Sequence, residues 1–241
     1  MTLFRALSAE ALKLKRTPAL LLALGVPVAL CLLMLVAFTL SDSNRGLDGP
    51  RKWAALIGIA INLWTPLILP LGLALLASLT VGLEWTENQW KHLLSLPVPR
   101  PILYLAKLLS LSGLVLLGSV VLVLGLAGVG WTLTEFGPIP WNSLLELAVR
   151  SFLASLPLLA LQVWLSSRFR SFALAMGFGL AGIIAGEVAS NSSFYWRFVP
   201  WTYPSMSFNP ALVTQVVGLG TFFLILVLIV GLLDFSRKDI Q

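Results

Sequence analysis

Charge is scarce in this sequence: Asp, Glu, Lys and Arg make up 11% of 241 residues, against 58% hydrophobic residues. A soluble domain carries about 25% charged residues and could not bury that much apolar surface, so a water-soluble globule is excluded and lipid becomes the main solvent. Cysteine occurs once, as Cys31 inside an apolar run, which rules out a disulfide framework or a cysteine-rich metal site within one chain. Histidine also occurs once, as His92 in a polar stretch, and this leaves the apolar segments without the usual general base or metal ligand. No Gly-Lys pair occurs, so the phosphate-cradling loop that ends in one is absent. Neither an internal repeat nor a low-complexity linker divides the chain, and a single membrane domain over residues 1–241 is expected.

What the chain has is long apolar runs. A spanning helix needs about 20 apolar residues, and six stretches qualify, over residues 18–40, 53–83, 108–130, 144–165, 172–190 and 211–233. The second is too long for one straight crossing of a roughly 30 Å hydrocarbon core. Pro66 and Pro70 each remove a backbone donor, and a kink or local break is expected there, one turn after Asn62. The basic stretch ending in Lys13, Lys15 and Arg16 superficially resembles the start of a signal peptide, but the run that follows suits a retained anchor better.

Orientation follows from the basic residues. One side of the six spans holds Arg5, Lys13, Lys15, Arg16, Lys91, Arg100, Lys107, Arg168, Arg170, Arg237 and Lys238; the other holds Arg45, Arg51, Lys52 and Arg197, with Arg150 inside the fourth span. The richer side is expected to be cytoplasmic, with both termini on it. The net charge of +6 is accounted for by these flanks and their anionic headgroups, and a nucleic-acid partner is not expected. Trp131, Trp141, Tyr195, Trp196, Trp201 and Tyr203 form an aromatic belt on the outer side, and the proline-broken stretch 191–210 reads as a short helix or re-entrant cap.

Two polar segments carry mechanism. In LFRALSAEALKLKR, Leu3, Phe4, Leu7, Ala11 and Leu14 recur at helical spacing, with Arg5, Glu10, Lys13 and Arg16 polar; this is an interfacial helix over residues 1–17, or a basic anchor that fixes topology. In LEWTENQWKHLLSLPVPRPILYLAKLL, a helix from Leu83 places Glu84, Glu87, Asn88, Lys91 and Ser95 on one face and Leu83, Trp90, Leu93 and Leu94 on the other. The PVPRP turn stops it, and a new helix starts toward Lys107.

AEALKLKRT before the first span, the Glu-led helix after a long second span, the LPVPR turn and Lys107 opening the third span resemble the ABC-2 type permeases, over nearly the whole chain. ENQWKHLLSLPVPRPILYLAK is most similar to small permeases that protect bacteria from lantibiotics and bacitracin-like peptides. The resemblance implies an all-α fold of six transmembrane helices with an N-terminal interfacial helix and a coupling segment over residues 84–107. It also implies a bacterial inner-membrane permease that works as a homodimer or with a related permease over separate ATP-binding subunits, which hold the ATP and magnesium. Glu84, Glu87, Asn88 and Lys91 would then touch the ATPase, and the cargo would be an amphipathic peptide antibiotic or similar hydrophobic compound. Two other classes stay open: a membrane anchor or assembly subunit that moves nothing, and an intramembrane enzyme, which the missing base and paired carboxylates disfavour.

Within the spans, Glu146 and Arg150 stand four apart on one helical face and read as a mutually neutralising ion pair or as substrate-facing groups. Glu187, near the outer end of the fifth span, reads as a contact for a cationic peptide or as a hydrated interfacial acid. Asn62, Gln162 and Gln215 read as pathway residues or as interhelical hydrogen bonders.

Overall fold

A computed structural model describes residues 3–14, 17–41, 47–86, 99–133, 137–169 and 171–236. Its described residues are mostly helical, without strands, and six helices are long and apolar enough to cross a membrane. Helix α1 (Leu3–Leu14) precedes the first span, α2 (Ala19–Leu40). The second span is composite: α3 (Gly49–Leu63), a π-helical segment (Trp64–Ile68) and α4 (Leu69–Thr86). The third span is α5 (Arg100–Thr132), the fourth α6 (Trp141–Arg168), the fifth α7 (Phe172–Ser190) and the sixth α9 (Val213–Ser236). Between the last two, 3-10 turns at Tyr195–Phe198 and Pro200–Thr202 and the short α8 (Tyr203–Met206) make a cap.

First-span residues are apolar all round, so position and not polarity decides what is buried. Ala19, Ala23, Pro27, Leu30, Cys31, Met34 and Phe38 make one stripe at helical spacing against the third span, while Leu21, Leu32, Leu33 and Val36 stay exposed, as a lipid-facing surface allows. Two third-span glycines let the backbones approach: a Cβ at Gly118 would lie 3.0 Å from the Ala23 carbonyl oxygen, and one at Gly125 would collide with the Cys31 sulfur.

The second span starts on the Asp48 cap, whose carboxylate accepts from the Arg51 amide at 3.2 Å, with Pro50 in the first turn. Its expected break falls at Pro66 and takes π form. The Leu69 amide reaches back to the Trp64 carbonyl, and the Thr65 hydroxyl donates to the Ile61 carbonyl at 2.8 Å, so backbone groups disturbed around the proline find partners without water.

Proline also decides where the third span begins. The helix starts at Arg100, with Pro99 at its cap and Pro101 in its first turn, so Lys107 lies two turns inside it and does not open it. Residues 84–86 likewise continue α4. The expected coupling segment 84–107 therefore has helical continuations of both spans at its ends; its middle, residues 87–98, lies outside the described residues.

The fourth span is the hub, packed against the second, third and sixth spans and the cap. Leu144, Leu147, Leu158, Leu159, Ala160 and Val163 on it are buried, and they meet Leu73, Ala77 and Val81 of the second span in one continuous apolar core.

Candidate functional site

Two ends of this bundle carry polar structure. At one, α1, the end of α4, the start of α5, the end of α6 and the end of α9 come together; the cap closes the other.

At the α1 end, Glu10 is 8% exposed although its helix is otherwise amphipathic, because its carboxylate turns inward to the third span. Lys107 Nζ lies 3.4 Å from Oε2, and Lys13 Nζ lies 3.3 Å from Oε1. Burial pushes the Glu10 carboxyl up, but the ammonium groups of Lys107 and Lys13 and their hydrogen bonds outweigh it, and the group is held below the usual carboxylate range. The cluster thus holds an ionised acid between two cations and joins residues 97 apart in sequence.

The first turns of the third span are held from another side as well. Tyr104, one turn before Lys107 and 2% exposed, sets its ring 5.8 Å from Phe235, and its hydroxyl end fills the space over Gly231, where any Cβ would collide with it. Nearby, Arg168 Nη1 donates to Asp234 Oδ1 at 3.3 Å and ties the ends of the fourth and sixth spans.

The residues picked from sequence fall unevenly on this geometry. Glu84 stands in the last turn of α4, while Glu87, Asn88 and Lys91 lie outside the described residues. Gln162 is internal, 1% exposed: its Nε2 donates to the Ala175 carbonyl at 2.8 Å and staples the fourth span to the fifth, over the close approach of Ala74 to Gly179. Asn62, Glu187 and Gln215 are exposed on the second, fifth and sixth spans. Glu146 and Arg150 form an ion pair along the fourth span, and Arg150 Nη1 also donates to the Ser207 carbonyl of the cap at 3.1 Å. Trp201 adds a second fastening, its indole lying over Gly182 and its Cβ against Gly186 of the fifth span.

Sequence reasoning did not single out the Glu10–Lys107 pair as a site, yet its signal was there. A lysine inside an apolar helix costs about 3 kcal/mol at the bilayer centre unless it snorkels or finds a partner, and Glu10 is the one acid in the basic N-terminal segment.

A family model described as ABC-2 family transporter protein matches residues 6–186. The chain belongs to the ABC-2 family of transporter proteins. The match takes in Glu10, the composite second span, the bridge to the third span and Lys107, and stops short of the cap and the sixth span. No curated protein and no solved structure matches the chain. Membership makes this a multi-pass membrane subunit of an ABC-2 transporter, a class that in general partners with an ATP-binding subunit. The Glu10, Lys13 and Lys107 cluster, with the end of α4 and the start of α5 at the same end of the bundle, forms the candidate functional site.

Proposed function

We propose that this ABC-2 protein is the permease subunit of an ATP-driven exporter, and that the bridge following α4 docks on the ATP-binding subunit. One observation carries the reading: α4 and α5 run on as helices to Thr86 and from Arg100, so the bridge is delivered at the α1 end by two long, stiff elements. At 33 residues, α5 alone measures roughly 50 Å at 1.5 Å per residue, well beyond the hydrocarbon core. The basic excess at that end supports a cytoplasmic side for it and for both termini. Glu84, Glu87, Asn88 and Lys91 form the polar face that meets the ATPase, where ATP and magnesium are held.

Asn62 supports a dimeric pathway. An amide exposed mid-span toward hydrocarbon is costly, and a second permease or a polar translocation path covers it. The cargo class is an amphipathic peptide antibiotic of the lantibiotic or bacitracin-like kind, suggested by the bridge sequence, and the cell is bacterial, with the protein in the inner membrane. Reversing the contact charge with Glu84→Lys and Glu87→Lys is expected to abolish co-purification with the ATP-binding subunit while leaving the amount of permease in the membrane unchanged. Undiminished co-purification would count against the docking role.

A further inference from the structure

The Glu10 cluster is built as a movable joint more than as a packed core contact. Only one edge of α1, at Ala6 and Glu10, is buried on the third span. Its next edge, Leu7, Ala11 and Leu14, lines an open groove of about 440 Å³ shared with Leu20, Ser110 and Gly113, so shape complementarity there does not fix the helix. Apolar side chains bordering a groove at headgroup depth exchange contact with lipid chains at little cost, whereas a buried carboxylate between two ammonium groups has a strong positional preference. The pairing therefore sets where α1 sits, and the groove leaves it room to roll about that point.

Lys107 is also well placed to report on the bridge. It lies seven residues after Arg100, about 10 Å along the helix. On the same two turns Tyr104 is locked against Phe235 and Gly231 of the sixth span. A displacement of the bridge that tilts the start of the third span must carry both contacts with it.

We infer that Glu10 is a positioning residue of the transport cycle: through Lys107 it makes α1 follow the start of the third span whenever the bridge is moved by the ATP-binding subunit. This rests on the permease reading above and adds a route by which that motion reaches the membrane interface.

The test uses the full-length permease with its ATP-binding subunit in lipid nanodiscs, reading ATP hydrolysis and hydrogen exchange of residues 3–14 and 84–98, without nucleotide and trapped with ATP and vanadate. In the wild type, exchange of both segments should change on trapping. Glu10→Gln, which keeps the shape but removes the charge and one of the two acceptor oxygens, should keep the response of 84–98, lose that of 3–14, and cut permease-stimulated hydrolysis by at least about fivefold, the lower end of typical coupling between linked sites. Lys107→Gln should do the same, the double variant should be no worse than either single one, and Lys107→Arg should retain the wild-type response. If Glu10→Gln does not accumulate, Glu10→Asp, which keeps the charge and withdraws the carboxylate, should weaken the response of 3–14 alone. A response of 3–14 that persists in every variant overturns the inference in favour of a static brace, as does a wild type in which 84–98 responds and 3–14 does not. A wild type that binds no ATP-binding subunit removes the permease reading itself, and the inference with it.

Discussion

Glu10 gains its folded-state environment from Lys107 and Lys13, and its protonation sets when that environment is lost. Because its folded value lies below the ordinary 4.5, the cluster contributes its full stability above about that pH and gives it up as pH falls through the folded value. A spin label at Ser8→Cys, in a Cys31→Ala background, should therefore gain mobility only below about pH 4.5, and Glu10→Gln should flatten that dependence. Mobility that is independent of pH in the parent would show that the carboxylate does not hold α1. Gly231 makes a second residue-level case. Leucine there meets the Tyr104 ring in a packed seam, and overpacking of this kind costs about 1–3 kcal/mol. Thermal unfolding in detergent should show the loss, and an unchanged Tm would mean that the third and sixth spans separate freely at this end.

At the scale of elements, proline explains most of what sequence reading reached and what it missed. Pro66 marked the break in the second span, because a missing amide is visible in the sequence; that the break would take π form depended on the Leu69 amide and the Thr65 hydroxyl finding carbonyls, which only the folded chain shows. The third helix was expected to start toward Lys107, but Pro99 and Pro101 suit a helix start and it begins at Arg100. The cap has the same character. Its prolines excluded a span, but its fastening by Arg150 to Ser207 and by Trp201 over Gly182 and Gly186 joins residues far apart in sequence. Arg150→Gln should speed hydrogen exchange of residues 195–206 without altering residues 3–14. Unaltered exchange in the cap would mean that the Trp201 seat alone holds it.

For the whole molecule, hydropathy alone located the six helices, since lipid solvent demands long apolar runs whatever their packing partners. The site was legible in outline only. The bridge announced itself by charge and proline, whereas the Glu10–Lys107 pair needed the fold to bring two distant segments together. Gln162 and Arg150 each carried two readings, pathway residue or interhelical hydrogen bonder for the one and ion-pair partner or substrate-facing group for the other, and the packed bundle uses the first to staple helices and the second, besides its pairing with Glu146, to hold the cap. The central claim is that the bridge at the α1 end meets an ATP-binding subunit. Its most direct test is a photo-crosslinking amino acid placed at Asn88 in the bridge and, as a control, at Tyr195 in the cap, with the permease and that subunit expressed together in the native membrane. An ATP-binding-subunit adduct from position 88 and none from 195 is the expected result; an adduct from 195 alone, or none from 88 in a complex that still assembles, would contradict it.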